Sequence, residues 1–125
     1  MSLEFCRQVL SLDPGIRFAG VANPGGKLLA AEYREGLSPL LDRNEVELAV
    51  ARTVLHAMED DEALQGKLGK TAYSITTCEK VKRATVPFHD KHRRILLVSF
   101  DTSARPGPII RKKILPLINS ELGWK

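Results

Sequence analysis

The chain of 125 residues reads as a single α+β domain, a five-stranded antiparallel sheet carrying helices in the order α-β-β-α-β-β-β-α. Three observations predict this. Apolar spacing switches between the helical and the strand period along the chain. Gly and Pro cluster where the period changes, at Asp13–Gly15, Asn23–Gly26 and Pro106–Pro108. No repeat, low-complexity tract or linker interrupts the order, so residues 1–125 are expected to fold as one unit, and 43% hydrophobic content suffices for one core.

Each element follows from its local pattern. Leu3, Cys6, Val9 and Leu10 share a helical stripe that begins at a Ser2 cap and stops at Asp13, Pro14 and Gly15. Ile16 to Asn23 and Lys27 to Arg34 read as two antiparallel strands around a tight turn, and Gly20 suggests a bulge or a close backbone approach. The second helix opens on a capping box, Asp42 with Glu45 or Asn44 with Glu47, and runs to Met58. Val46, Ala49, Val50, Thr53, Val54, Ala57 and Met58 cover its inner face, while Leu48, Ala51 and Leu55 extend the apolar arc beyond what one sheet hides. Either another helix of the same chain or a second subunit covers that flank. A polar connection is expected from Asp60 to Gly69.

Three strands in succession follow, with turns near Glu79–Lys80 and His89–His92. The run Ile95, Leu96, Leu97, Val98 suits a central strand covered on both faces, and Lys70 to Cys78 suits a free edge. After Pro106–Pro108 a last helix turns Ile110, Ile114, Leu117 and Ile118 inward and Arg111, Lys112 and Lys113 outward, with Pro116 kinking it or ending its regular part.

Charge is divided unevenly. Residues 1–62 hold 6 Lys/Arg against 11 Asp/Glu, a balance of −5, and residues 63–125 hold 13 against 4, a balance of +9. Cys6 and Cys78 lack metal-ligand or CxxC spacing and read as reduced thiols of a cytoplasmic protein. The chain opens on a helix pattern without a basic leader, and no segment nears the ~20 apolar residues that cross a bilayer. A soluble, unprocessed protein is expected.

Motifs that carry chemistry are weak. Gly20 to Lys27 imitates a phosphate loop, but Lys27 falls one residue late, Leu28 replaces the hydroxyl, and the segment joins two strands with no helix N-terminus to hold an anion. His89, Asp90 and His92 lie in one turn and offer too few ligands for a stable metal site, and His56 lies on the polar strip of the second helix beside Arg52 and Glu59. No local Ser-His-acid or Cys-His set assembles, so no catalytic residue, cofactor site or metal site is assigned and an enzyme is not expected. Lys80, Lys82, Arg83, Lys91, Arg93 and Arg94, with His92, gather on the two later turns and the fourth strand near Tyr73, Phe88 and Phe100. They define a basic partner surface, and a nucleic-acid contact is one reading of it.

In its order of elements, and in the segments IRFAGVANPGGKLLA, the helix from Asn44 to Met58 and ATVPFHDKHRRILLVSFD, the chain resembles the roadblock superfamily of dynein light-chain roadblock and MglB-like proteins. It looks close to a roadblock-like family of uncharacterised archaeal proteins. The superfamily is related in fold to profilin, longin, PAS and GAF domains. The resemblance implies a sheet with the second strand at one edge, the third at the other and the last beside the first. It also implies that two subunits pair third strands and second helices into one continuous sheet. The matching positions are Leu48, Ala51 and Leu55 with Ala72, Tyr73, Ser74, Ile75, Thr76 and Thr77.

Roadblock proteins serve as dimeric platforms that regulate Ras-like GTPases or anchor assemblies, so the resemblance implies a non-catalytic homodimer with such a partner, without cofactor or membrane. A ligand sensor of PAS or GAF type, with a pocket lined by Tyr33, Tyr73 and Phe88, is the competing reading. Those folds usually carry more helix between the second and third strands than the single long helix found here.

Overall fold

Alternation along the strands sends the apolar side chains to two faces of one sheet, and the two faces are covered very differently. The computed structural model describes residues 3–122, the side chains of residues 60–63 excepted. Its elements are α1 (Leu3–Ser11), β1 (Ile16–Ala22), β2 (Leu28–Tyr33), α2 (Arg43–Leu68), β3 (Ser74–Thr77), β4 (Lys82–Pro87), β5 (Ile95–Phe100) and α3, residues 106–121. The strands form one five-stranded sheet in the order β2-β1-β5-β4-β3, with every neighbouring pair antiparallel. The edges are thus β2 and β3, and the apolar β5 lies in the middle, as its composition demands.

One face is closed by α1 and α3. Ala19 and Val21 of β1, Val86 of β4, and Leu96, Val98 and Phe100 of β5 pack there against Phe5, Cys6 and Val9 of α1 and Ile110, Ile114 and Ile118 of α3. Phe5 meets Phe88 edge to face, with ring centres 5.8 Å apart. Burying a ring of this size contributes about 1.5 to 3 kcal/mol relative to leaving it in water. The inward stripe of α1 therefore runs through Phe5, Cys6 and Val9, whereas Leu3, expected on it, is exposed. The Ser2 cap lies outside the described residues.

Among the described residues α2 is the one helix on the opposite face. Val50 and Val54 are its buried residues, packed on Ala22, Ile95 and Leu97 with Phe18, Leu28 and Val46 around them. The Asp42–Glu45 capping box is present: Asp42 Oδ1 accepts from the Glu45 N–H at 2.8 Å, and Glu45 Oε1 from the Asp42 N–H at 3.0 Å. The helix does not stop at Met58 but continues through the expected polar connection to Leu68. Its last turns hold good helix formers (Leu64, Gln65, Lys67), and Gly69, at φ +82°, ends it.

Two local details position this helix. Gly26, at φ +83° in the β1–β2 turn, has no side chain to keep the turn away from α2, since a Cβ there would lie 3.0 Å from Ala51 Cα. Gly20 likewise marks a close approach, its face covered by the Phe18 ring and Leu28, while the register shifts of β1 fall elsewhere, at Val21/Ala22 and Ile16/Phe18.

β3 is shorter than Lys70 to Cys78 because the segment before it is held from the other side. Thr71 C=O accepts a hydrogen bond from His89 Nε2 at 2.7 Å, and Tyr73 Oη accepts from Arg111 Nη1 at 3.0 Å. In α3, Pro116 has no N–H and would crowd a carbonyl one turn back, and the preceding residues Ile110–Ile114 widen into a π-helical turn with the Leu115 N–H bonded to Ile110 C=O. The helix then resumes through Glu121, so Pro116 disturbs its regularity without ending it. Among the described residues no helix is long and apolar enough to cross a membrane.

Candidate functional site

Because α2 rests on β1 and β5, the part of the same face over β4 and β3 is left open, and a cleft of about 420 Å³ separates helix from sheet. Strand register builds its floor. Thr76, Arg83, Ser99, Phe18 and Tyr33 are successive cross-strand partners over β3, β4, β5, β1 and β2, so they form one row pointing to one face. All five line the cleft. The row is polar at the β3 end and aromatic at the β2 end, where the Phe18 and Tyr33 rings lie 4.9 Å apart. Burial pushes the Tyr33 hydroxyl above its ordinary pKa. Ala49, Thr53 and His56 of α2 form one wall, and Leu37, Pro39 and Leu40 of the β2–α2 connection form another.

Two arginines reach this site, and they differ in charge balance. Asp101 accepts from Arg34 at 2.7 and 3.2 Å and from Arg17 at 3.2 Å. The Arg34 hydrogen bond, helped by Arg17 and opposed by burial, holds the Asp101 carboxyl below the usual carboxylate range and raises the pKa of Arg34. Arg17 thus shares one carboxylate with Arg34. Arg83 has no carboxylate within ion-pair distance among the described residues.

The expected interface residues fall in three places. Ser74, Ile75, Thr76 and Thr77 form the edge strand and are all exposed, whereas Ala72 and Tyr73 precede it, Tyr73 packing on the α1/α3 side. Leu48 and Leu55, 54% and 58% exposed, are not covered by α1 or α3, which lie across the sheet. Ala51 faces the β1–β2 turn at the β2 side of the helix. The side of α2 that shares a cavity with β3 is instead Ala49, Thr53 and His56. The sequence pattern puts Ala49 and Thr53 on the inner face and His56 on the polar strip, and only the strand order joins the three as the β3 side of the helix.

The basic residues do not form one surface. Lys80, Lys82 and Arg83 lie at the β3–β4 end of the hairpin, while Lys91, His92, Arg93 and Arg94 lie at the β4–β5 turn, separated by the length of β4. Lys82 Nζ bonds Ala104 C=O at 2.9 Å, and Arg94 grips Asp90 through Nε at 2.9 Å and lies over the Phe88 ring. Asp90, although partly buried, is held below the usual carboxylate range by these Arg94 hydrogen bonds. With Asp90 bound to Arg94 and His89 to Thr71, the turn is built as a structural clasp. Phe88, Phe100 and Tyr73 pack on the α1/α3 side of the sheet and do not line the cleft; of the three residues expected in a pocket, Tyr33 alone does.

The architecture matches solved structures along nearly its whole length. An MglB with a tetrameric arrangement superposes with a TM-score of 0.74 at 13% identity, over 94% of this chain and 82% of that one. The roadblock/LC7 domain from Streptomyces avermitilis gives 0.71 at 10%, over 96% and 93%. The chain has the roadblock fold. Schizosaccharomyces pombe profilin, at 0.60 and 14% over 98% of each chain, shares the wider architecture. No family model and no curated protein matches the sequence. The roadblock fold thus emerges from the arrangement of elements, with most side chains replaced.

Proposed function

We propose that the chain is a non-catalytic platform that pairs with a second copy of itself along β3 and receives another protein, a Ras-like small GTPase, on the helical surface so formed. The observation that carries this reading is the open β3 edge: Ser74–Thr77 is bonded on one side only, is exposed throughout, and displays Ile75 at 41% exposure. An unpaired strand of this kind is a template for a further strand.

Strand pairing alone is insufficient, because four residues span only about 13 Å while a stable interface buries roughly 800 Å² per partner. α2 must contribute. Pairing at β3 brings the two α2 helices together from the side of Ala49, Thr53 and His56. Of the flank read from the sequence, Leu48 and Leu55 then remain on the outer surface of the helix pair, and Ala51 stays with its own β1–β2 turn. The exposed leucines are the contact proposed for the GTPase, in keeping with the roadblock resemblance.

Affinity capture with purified Ras-like GTPases, loaded with GDP or a GTP analogue, tests the reading. Capture that depends on the nucleotide and falls at least tenfold in Leu48→Glu and Leu55→Glu is expected. Capture indifferent to the nucleotide, or unaffected by both substitutions, contradicts it.

A further inference from the structure

We propose that the cleft between α2 and the sheet is a binding site for a small amphipathic carboxylate, a molecule with an aromatic or branched apolar body and one anionic head. Its floor is already divided into the two halves such a ligand needs. Toward β2, Phe18 and Tyr33 offer ring faces, with Leu97 beside them and Leu37 and Leu40 above. Toward β3, Arg83 has Thr76 and Ser99 as its cross-strand neighbours, and all three line the cleft. A guanidinium holds a carboxylate through two parallel N–H···O bonds, and flanking hydroxyls donate to the same oxygens.

Charge separates Arg83 from the other arginine at the site. Arg17 is tied to Asp101, which it shares with Arg34, whereas Arg83 lines the cavity without an acidic partner among the described residues. Size fits as well, since about 420 Å³ falls within the range of sites that enclose small ligands. The site is built by one chain, so it does not require the pairing proposed above. Its lining reaches Ser74 and Thr76 of β3, so a second copy paired there would border it. Ligand binding and oligomeric state are accordingly read in separate measurements.

Amide ¹H–¹⁵N spectra of the full chain, titrated with 3-phenylpropanoate and in parallel with uncharged 3-phenylpropanamide, test the assignment. Saturable shifts at Phe18, Tyr33, Thr53, Leu97 and Ser99 are expected with the acid, and weaker binding with the amide. Arg83→Gln, at an exposed position, should weaken the acid roughly tenfold or more, as loss of a charged hydrogen-bond partner does, and leave the amide unchanged. Ala49→Trp should fill the cleft and remove binding of both.

Equal affinity of the acid for the native chain and Arg83→Gln overturns the proposal, as do shifts confined to other surfaces or the absence of saturation with the acid. Cleft resonances that move with protein concentration but not with the carboxylate assign the space to a second copy and overturn it too. Light scattering on the same samples reports the oligomeric state independently.

Discussion

Asp101 shows how single residues tie the ends of this sheet together. It follows β5 and accepts from Arg17 of β1 and from Arg34 just past β2, so three chain segments meet at one carboxylate. Its folded pKa is depressed, so its stabilisation is complete above the ordinary carboxylate value near ~3.9 and is lost as pH falls through the folded value. Asp101→Asn should lower unfolding stability by about 1 kcal/mol at pH 7, a partly exposed network being screened by water. In urea titrations the gap between native and variant should close as pH drops below about 4. A gap of equal size at pH 7 and pH 3 would mean that the charge contributes nothing.

At the scale of elements, the second helix and the third strand determine what the molecule presents. The β1–β2 turn fits against α2 only because Gly26 combines a left-handed backbone with the absence of a side chain. Gly26→Ala should destabilise by about 1 to 2 kcal/mol, measured by chemical unfolding, and an unchanged midpoint would refute the contact. Ile75→Lys places a charge on the open edge, and the expected outcome is a fall in mass from dimer to monomer with an unaltered circular dichroism spectrum. A variant that keeps the dimer mass would place the contact elsewhere.

Much of this was legible in the sequence, element by element. The capping box at Asp42, the apolar run Ile95–Val98 and the turns at Asn23–Gly26 and Glu79–Lys80 each act through near neighbours, so their meaning survives without coordinates. Relations set by long-range register were not. That Thr76, Arg83, Ser99, Phe18 and Tyr33 share one row depends on four strand pairings at once, and a slip of one residue in any of them would turn its side chains to the other face. The same geometry splits the basic residues between opposite ends of β4 and sends Tyr73 and Phe88 away from the cleft. The run of α2 past Met58 escaped for another reason: Leu64 to Leu68 bury nothing, so no apolar stripe announced them.

Taken whole, the molecule is asymmetric about its sheet. α1 and α3 bury most of one face, while α2 covers part of the other and leaves an open edge, an amphipathic cleft and exposed leucines such as Leu48 and Leu55. Apolar residues are thus exposed on the open edge and along α2, where the proposed second chain would reach them. Light scattering coupled to size exclusion, at micromolar concentration, tests this pairing most directly. With self-pairing, a particle of twice the 13.9 kDa chain mass is expected. A particle of 13.9 kDa, unchanged by Ile75→Lys, would contradict it.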